Sequence, residues 1–270
     1  MIPIINMVLG SDTMIKSEIF NLAEKDLNYS IYCKNLTTGE VLISLRENKA
    51  HRSASVIKVL IMAEALRQTE EGNYSLYQMI KVKDNDVVPF SVIEDLDIRE
   101  FTYKDLISLM IAYSDNTATN VLIDLLGMDK INELANLLHL QETKLTRKMM
   151  DFEEINKGND NYTSIHDTFM IFNSLSKREI VCEKLSELAF DILKKQKHRD
   201  AFLRFINDDE FVLAHKTGQL DGINHDVGIF YLKNVQYFLG VFVSNGTSNA
   251  KNKEFIGKVS EIIYNTFKDS

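Results

Sequence analysis

The stretch FVLAHKTGQLDGINHDVGIFYLKNVQYFLGVFVSN, residues 211–245, decides the fold. Its apolar residues come in short β-branched and aromatic blocks, without the three-to-four spacing of a helix. Phe211 to Lys216, Asp226 to Leu232 and Tyr237 to Asn245 therefore read as strands, with Lys233-Asn234 turning the chain between the last two. Upstream the period is helical for about 150 residues. Ser55 to Arg67 (SVIKVLIMAEALR) is apolar on nearly every side except at Lys58, as expected of a buried helix. Thr102 to Ala112 opens with T-x-x-D, a capping-box variant, and Thr117 to Leu126 closes at Gly127, a suitable left-handed cap. Lys130 to Leu138, Ser164 to Leu175 and Glu183 to Gln196 continue the helical pattern. At the N-terminal end, Met14 to Leu27 reads as a helix. Tyr29 to Leu36 and Glu40 to Leu45 read as a hairpin turned at Thr37-Thr38-Gly39. A final helix, Asn252 to Phe267, presents Phe255, Ile256, Val259, Ile262 and Ile263 as one stripe.

Strands at both ends around a helical middle predict an α/β part joined to an all-α part. The expected architecture is a mostly antiparallel sheet built from residues 1–50 and 200–270, with a helical domain inserted over 51–199. The natural place for a site is the cleft between them.

Composition narrows the function. The 270 residues are 45% hydrophobic and 26% charged, ordinary globular values, and 31 basic against 39 acidic residues give a net charge of −8. No Lys/Arg-dense stretch is present, so a dedicated nucleic-acid binder is disfavoured. No run approaches the roughly eighteen apolar residues of a membrane span. Met1 to Leu9 is apolar but short, and the first basic residue is Lys16, so no secretory leader is read in this chain. The expected location is outside the cytoplasm if a leader has been removed, and cytoplasmic otherwise. Cys33 and Cys182 are far apart and expected to be small buried side chains. The six histidines form no H-E-x-x-H or similar cluster, so neither a metal nor a cofactor is expected.

The remaining chemical signal is S-x-x-K. About one chance match is expected at this length, and three occur: Ser55/Lys58, Ser174/Lys177 and Ser248/Lys251. Only the first heads a strongly apolar helix, where the lysine lies above the serine on one face. Among Val56, Ile57, Val59, Leu60 and Ile61 its amine is desolvated, and a desolvated amine is available as a base. A lysine snorkelling from a core helix is the competing reading. Ser114-Asp115-Asn116 between two helices and Lys216-Thr217-Gly218 at a strand end change the balance, since a specified tripeptide is expected by chance in well under a tenth of such chains.

On these residues, with the flanking text SDNTATNVLIDLLG and HKTGQLDG, the sequence resembles the penicillin-recognising serine enzymes, specifically the class A β-lactamases, from about residue 28 to the end. The resemblance implies the β-lactamase/transpeptidase-like fold and acyl-enzyme chemistry. It implies Ser55 as nucleophile, Lys58 as the group helping remove its proton, Ser114 as the relay to the leaving nitrogen, and Lys216 as a positive charge near the substrate carboxylate. Asn116 is implied to bind the substrate amide and Thr217 its carboxylate. Asp115 is implied to orient the turn from behind. Gly218 and Gln219 complete the substrate-binding strand, and the backbone N–H groups of Ser55 and Gln219 form the implied oxyanion hole.

The departures from the family pattern are equally informative. Aligning Thr143 to Arg147 with the start of the family's catalytic loop puts Met149 where a deacylating glutamate belongs, and a thioether accepts no proton. Asp151, Glu153 and Glu154 lie nearby and are read as loop surface. The family's Arg–Asp ion pair is read as altered, with Arg147 kept and Asn161 at the partner position. His225 falls where an arginine often meets the substrate carboxylate, and is read as a hydrogen-bonded surface histidine. The expectation is a β-lactamase-type serine hydrolase with slow deacylation. The alternatives are a covalent penicillin-binding sensor and an acyl hydrolase directed at peptidoglycan peptides. The implied partner is a small molecule, a β-lactam or a D-Ala-D-Ala-like peptide, and the chain is expected to be monomeric.

Overall fold

The computed structural model describes residues 11–24, 26–208 and 210–268. In chain order these form α1 (Ser11–Leu22), β1 (Asn28–Asn35), β2 (Val41–Leu45), β3 (His51–Arg52), α2 (Lys58–Glu70), β4 (Met79–Lys81), β5 (Glu100–Thr102), α3 (Tyr103–Ala112) and α4 (Asn116–Leu126). There follow α5 (Met128–Leu137), α6 (Phe152–Asn156), β6 (Tyr162–Thr163), α7 (Ile165–Ser176), α8 (Glu183–Leu193), β7 (Val212–Leu220), β8 (Ile223–Tyr231), β9 (Gln236–Ser244) and α9 (Asn249–Lys268). The apolar stretch Met1 to Leu9 lies outside the described residues.

Five strands form one antiparallel sheet in the order β2-β1-β9-β8-β7, so the two chain ends meet where β1 pairs with β9. Alternation along the strands sends side chains to two different cores. One face, with Tyr237, Leu239, Val241 and Val243, packs on Ile15 and Ile19 of α1 and on Phe255, Ile256, Val259 and Ile263 of α9. The other, with Val227, Ile229, Phe238 and Phe242, packs on the helical segment. Gly240 permits that second contact: a Cβ there would stand 2.4 Å from Ile165 Cγ2 at the start of α7.

At the centre of the helical segment is α2, buried continuously from Lys58 to Leu66. Such a helix is held by packing on all sides, which is why it reads as apolar throughout. The buried carboxylate of Glu64 is paired one turn on, accepting from Arg67 Nε at 2.7 Å and from Gln68 Nε2 at 2.7 Å. The capping box expected at Thr102 and Asp105 is formed in both directions, and Gly127 has φ 82° at the end of α4.

The boundaries carry the corrections. Helix α1 stops at Leu22 instead of Leu27, because the chain must straighten before Asn28 pairs with Ser244. The expected helix from Ser55 starts as a single 3-10 turn, Ala54–Ile57, before α2 begins at Lys58. Strand β7 runs four residues past Lys216, through Thr217, Gly218 and Gln219, because β8 begins earlier than its sequence pattern indicates and pairs with them. Cys33 is buried, but Cys182 is exposed at the start of α8, where its backbone N–H donates to Glu70 Oε2 at 3.0 Å.

Candidate active site

The 3-10 turn before α2 sets the first pair. In that geometry residues three apart eclipse, so Lys58 stands directly above Ser55, and the Lys58 backbone N–H bonds Ser55 O. Entering the turn leaves Ala54 at φ 46°, a conformation costly for a residue with a Cβ. Ser55 is half-buried, whereas Lys58 is fully buried.

Lys58 Nζ has three acceptors: Ser114 O at 2.6 Å, Asn116 Oδ1 at 2.8 Å and Ser114 Oγ at 3.2 Å. Burial pushes its pKa well below the ordinary lysine value, and the neighbouring Lys216 pushes the same way against the weaker pull of Asp115. Lys216, from β7, is also fully buried and reaches the same hydroxyl from the other side, donating to Ser114 Oγ at 3.1 Å and to Thr217 O at 2.8 Å. Burial lowers its pKa to about 7, opposed by the charge of Asp226.

Ser114 occupies the turn between α3 and α4 at φ 58°. Asp115 anchors that turn, with Oδ1 accepting from Ala118 N at 2.7 Å as the cap of α4 and Oδ2 from Ile93 N at 3.0 Å. Asn116 spends one amide N–H on Pro89 O at 3.1 Å and keeps the other. Strand β7 reaches the turn because residue 218 is glycine: a Cβ there would lie 3.0 Å from Ser53 O and 3.1 Å from Ala54 Cβ. Thr217 is half-buried and Gln219 exposed, and β7 is a sheet edge with backbone groups unpaired on its outer side. Ser55, Lys58, Ser114, Asn116, Lys216, Thr217, Gly218 and Gln219 therefore come together from three distant segments, with the hydroxyls more open than the amines beneath them.

Residue 149 is held by Asn120, one turn beyond Asn116 on α4: Met149 N donates to Asn120 Oδ1 at 2.8 Å, and Asn120 Nδ2 to Met149 O at 3.1 Å. The acids that follow it are occupied elsewhere. Asp151 caps α6 through Glu154 N at 3.1 Å, Glu153 is exposed, and Glu154 accepts from Lys157 and Asn159. Two expectations are corrected. Arg147 does keep a carboxylate partner, Asp160, at 2.7 Å and buried, which Arg52 also contacts. Asn161 instead holds the backbone N–H groups of Thr146 and Arg147. His225 is no surface residue: it is 1% exposed, its Nε2 donates to Arg52 O at 2.9 Å, and burial lowers its pKa to about 4. An imidazole so placed stays neutral and does not meet a substrate carboxylate.

The sequence reading missed the loop at 88–91, clamped to α4 by Thr117 through Val88 and Ser91, and it missed Asn120. For Asn120 a signal existed, since Asn116 and Asn120 are four apart on one helix face. Of the eight non-glycine residues with positive φ among the described residues, four (Ala54, Phe90, Ser114 and Met150) border this site.

This sheet with its helical insertion is the β-lactamase/transpeptidase-like fold, the architecture of the penicillin-recognising serine hydrolases. The chain belongs to the beta-lactamase enzyme family, whose profile matches residues 14–267. Among curated relatives, it is 22% identical to beta-lactamase VEB-1 of Pseudomonas aeruginosa over 97% of this chain and 88% of that one. Among solved structures, a beta-lactamase from Sphaerobacter thermophilus superposes with a TM-score of 0.86 at 23% identity, covering 94% and 97% of the two chains. A leucine-to-glutamate mutant of PBP-A, recorded as an acyl-enzyme complex with penicillin G, superposes with a TM-score of 0.85 at 23% identity, covering 97% and 98%.

Proposed function

We propose that this protein acylates itself on β-lactams through Ser55 and releases the product slowly. The observation that carries the reading is the buried Lys58 amine, shared with Lys216 around one hydroxyl, Ser114 Oγ. As a neutral amine Lys58 has two N–H bonds, which satisfy the two nearer acceptors, Ser114 O and Asn116 Oδ1. Its lone pair is left for a proton.

In the acylation step, Ser55 Oγ forms a bond to the lactam carbonyl carbon while its proton passes to Lys58. The C–N bond of the ring then breaks, and the nitrogen takes the Ser114 hydroxyl proton, which Lys58 replaces. Lys216 stays an ammonium on the far side of Ser114, beside the substrate carboxylate, with Thr217 donating to that carboxylate. The backbone N–H groups of Ser55 and Gln219 receive the developing oxyanion. Asn116 offers its remaining amide N–H to the substrate amide.

Hydrolysis of the ester then needs a base to activate water, and Met149 supplies none. That favours a second reading, a covalent penicillin-binding protein or a hydrolase acting on D-Ala-D-Ala-like peptides, in which turnover of β-lactams is not the function. The leucine-to-glutamate mutant of PBP-A, solved as an acyl-enzyme complex with penicillin G, shares this chain's fold over nearly its whole length.

The test is labelling with a fluorescent penicillin, followed by intact-mass measurement over time. Wild-type protein gains the mass of the penicillin and holds it for minutes or longer, and Ser55→Ala does not label. Undiminished labelling of Ser55→Ala would refute the nucleophile.

A further inference from the structure

The stretch between α8 and β7 holds the end of the helix that leads into Ser114. Gln196 Nε2 donates to Ile111 O at 2.9 Å, Lys197 N donates to Ala112 O at 2.9 Å, and His198 Nε2 lies 3.4 Å from Tyr113 O. A helix leaves its last carbonyls without partners, and here three consecutive ones are met by three consecutive residues. Tyr113 immediately precedes Ser114, about 3.8 Å away along the chain. The stretch therefore borders the site on the side of Ser114.

From that border the chain runs outward along a cavity of about 670 Å³, lined by Lys197, Arg199, Leu203, Ile206, Asn207 and, from α9, Lys253. Small-molecule sites occupy roughly 300–1,000 Å³. The acids of the cavity already have partners: Asp200 pairs with Lys253 at 2.8 Å, and Asp208 meets Lys268 at 3.5 Å and accepts from the Tyr264 hydroxyl. Lys197 and Arg199 are exposed, and among the described residues neither has a carboxylate partner. Lys197 Nζ instead hangs over the Tyr113 ring, 5.9 Å from its centroid, which directs its charge towards the site.

Two unspent cations beside one cavity, in a chain of net charge −8, describe a place for an anion. The guanidinium fork of Arg199 matches a carboxylate in shape as well as in charge. Its position fixes which part of a substrate arrives there. In the acylation step proposed above, Ser114 protonates the departing nitrogen, and Lys216 with Thr217 holds the carboxylate next to it. A cavity that opens beyond Tyr113 receives what the leaving part of the substrate carries further out.

We propose that Lys197 and Arg199 form a second anion subsite, which binds an additional carboxylate on the leaving-group side of the substrate. The substrate class it selects is an acyl donor whose leaving part is larger than a single alanine and carries two carboxylates. The orientation of that substrate rests on the function proposed above, whereas binding of the anion does not.

The experiment compares two cephalosporins that differ only at the end of the 3-substituent, a carboxylate in one and its primary amide in the other. That substituent lies on the same side of the scissile bond as the lactam nitrogen. Intact-mass measurement at sub-saturating cephalosporin gives the rate of acylation. Wild-type protein reacts about fivefold faster with the carboxylate, the gain expected of two partly exposed ion pairs. Raising the salt from about 0.05 to 0.5 M shrinks that preference. A Lys197→Ala, Arg199→Ala double variant loses it by reacting more slowly with the carboxylate alone, its rate with the amide unchanged; a merely structural role would slow both. The exchange truncates two exposed side chains and leaves the Lys197 N–H bond to Ala112 O in place. Equal wild-type rates, or a preference that survives in the double variant, overturn the proposal. If neither compound acylates wild-type protein, the proposed function fails, and NMR titration of the Lys197 and Arg199 backbone amides with the same pair reads the subsite by itself. Larger shifts with the carboxylate then sustain it, and equal shifts overturn it.

Discussion

Replacing Met149 by glutamate is expected to supply the base that the proposed mechanism lacks, at a point of the loop that α4 holds. Asn116 and Asn120 are four residues apart on α4, about 6 Å of helical rise. The first accepts from Lys58 Nζ, and the second clamps both backbone polar groups of residue 149. A glutamate at residue 149 is expected to act on a water beside the ester, since a general base works within hydrogen-bond reach or through one water. A positioned general base supplies about 10²–10⁴ in rate, or roughly 3–5 kcal/mol of barrier. Met149 is only 8% exposed and packs in the helical core, so the exchange forfeits about 2 kcal/mol of apolar burial. Burial also raises the new carboxyl's pKa, which suits a base working near neutrality. The net expectation is a less stable protein whose acyl-enzyme lifetime falls by about 10²-fold, the low end of that range. Intact-mass sampling after a penicillin pulse reads the lifetime, and circular dichroism checks the fold. A folded Met149→Glu that labels normally but keeps its acyl group as long as wild type refutes the reasoning. Rapid wild-type hydrolysis of a chromogenic cephalosporin refutes it equally, because some other group then serves as base.

Two further outcomes follow from the same geometry. Gly218→Ala puts a Cβ 3.0 Å from Ser53 O and 3.1 Å from Ala54 Cβ, so β7 and the Ser53–Ala54 turn must part by a few tenths of an ångström; the rate of penicillin labelling falls below wild type, and an unchanged rate refutes the need for glycine here. Burial also lowers the pKa of His51 to about 3 and of His225 to about 4, with rings 5.7 Å apart and Ser30 Oγ 2.9 Å from His51 Nε2. Above about pH 6.5 neither the folded nor the unfolded chain protonates these rings, so stability is complete there. As the pH falls below that, the unfolded chain takes up protons the folded one refuses, and by about pH 5 each ring has removed roughly 2 kcal/mol. Thermal melts at pH 7.5 and 5 (about 2.5 units apart) check this: melting must fall in acid, and a His51→Gln, His225→Gln double variant must lose most of that dependence.

Much of this protein is legible before folding. The change of period after residue 200 announces the sheet, the T-x-x-D and Gly127 mark helix ends that form as written, and three short motifs name seven of the eight residues that converge. Element ends were harder to place, because pairing partners far along the chain set them: β8 carries β7 on through Gln219, and Asn28 must meet Ser244. His225 shows the same limit at a single residue. Its position in the text points to the substrate, yet the register with Phe242 turns its ring inward to stack at 4.2 Å.

Residue type and spacing therefore specify local periods, caps and the inventory of hydroxyls and amines, since those depend on neighbours a few positions away. They do not specify the state of that inventory. Whether Lys58 is an amine, whether Arg147 meets Asp160 or Asn161, and that the His51 and His225 rings stay neutral are settled by burial and by charges from other strands and helices. Desolvation and Coulomb energies depend on distance in space, and only the packed chain has those distances.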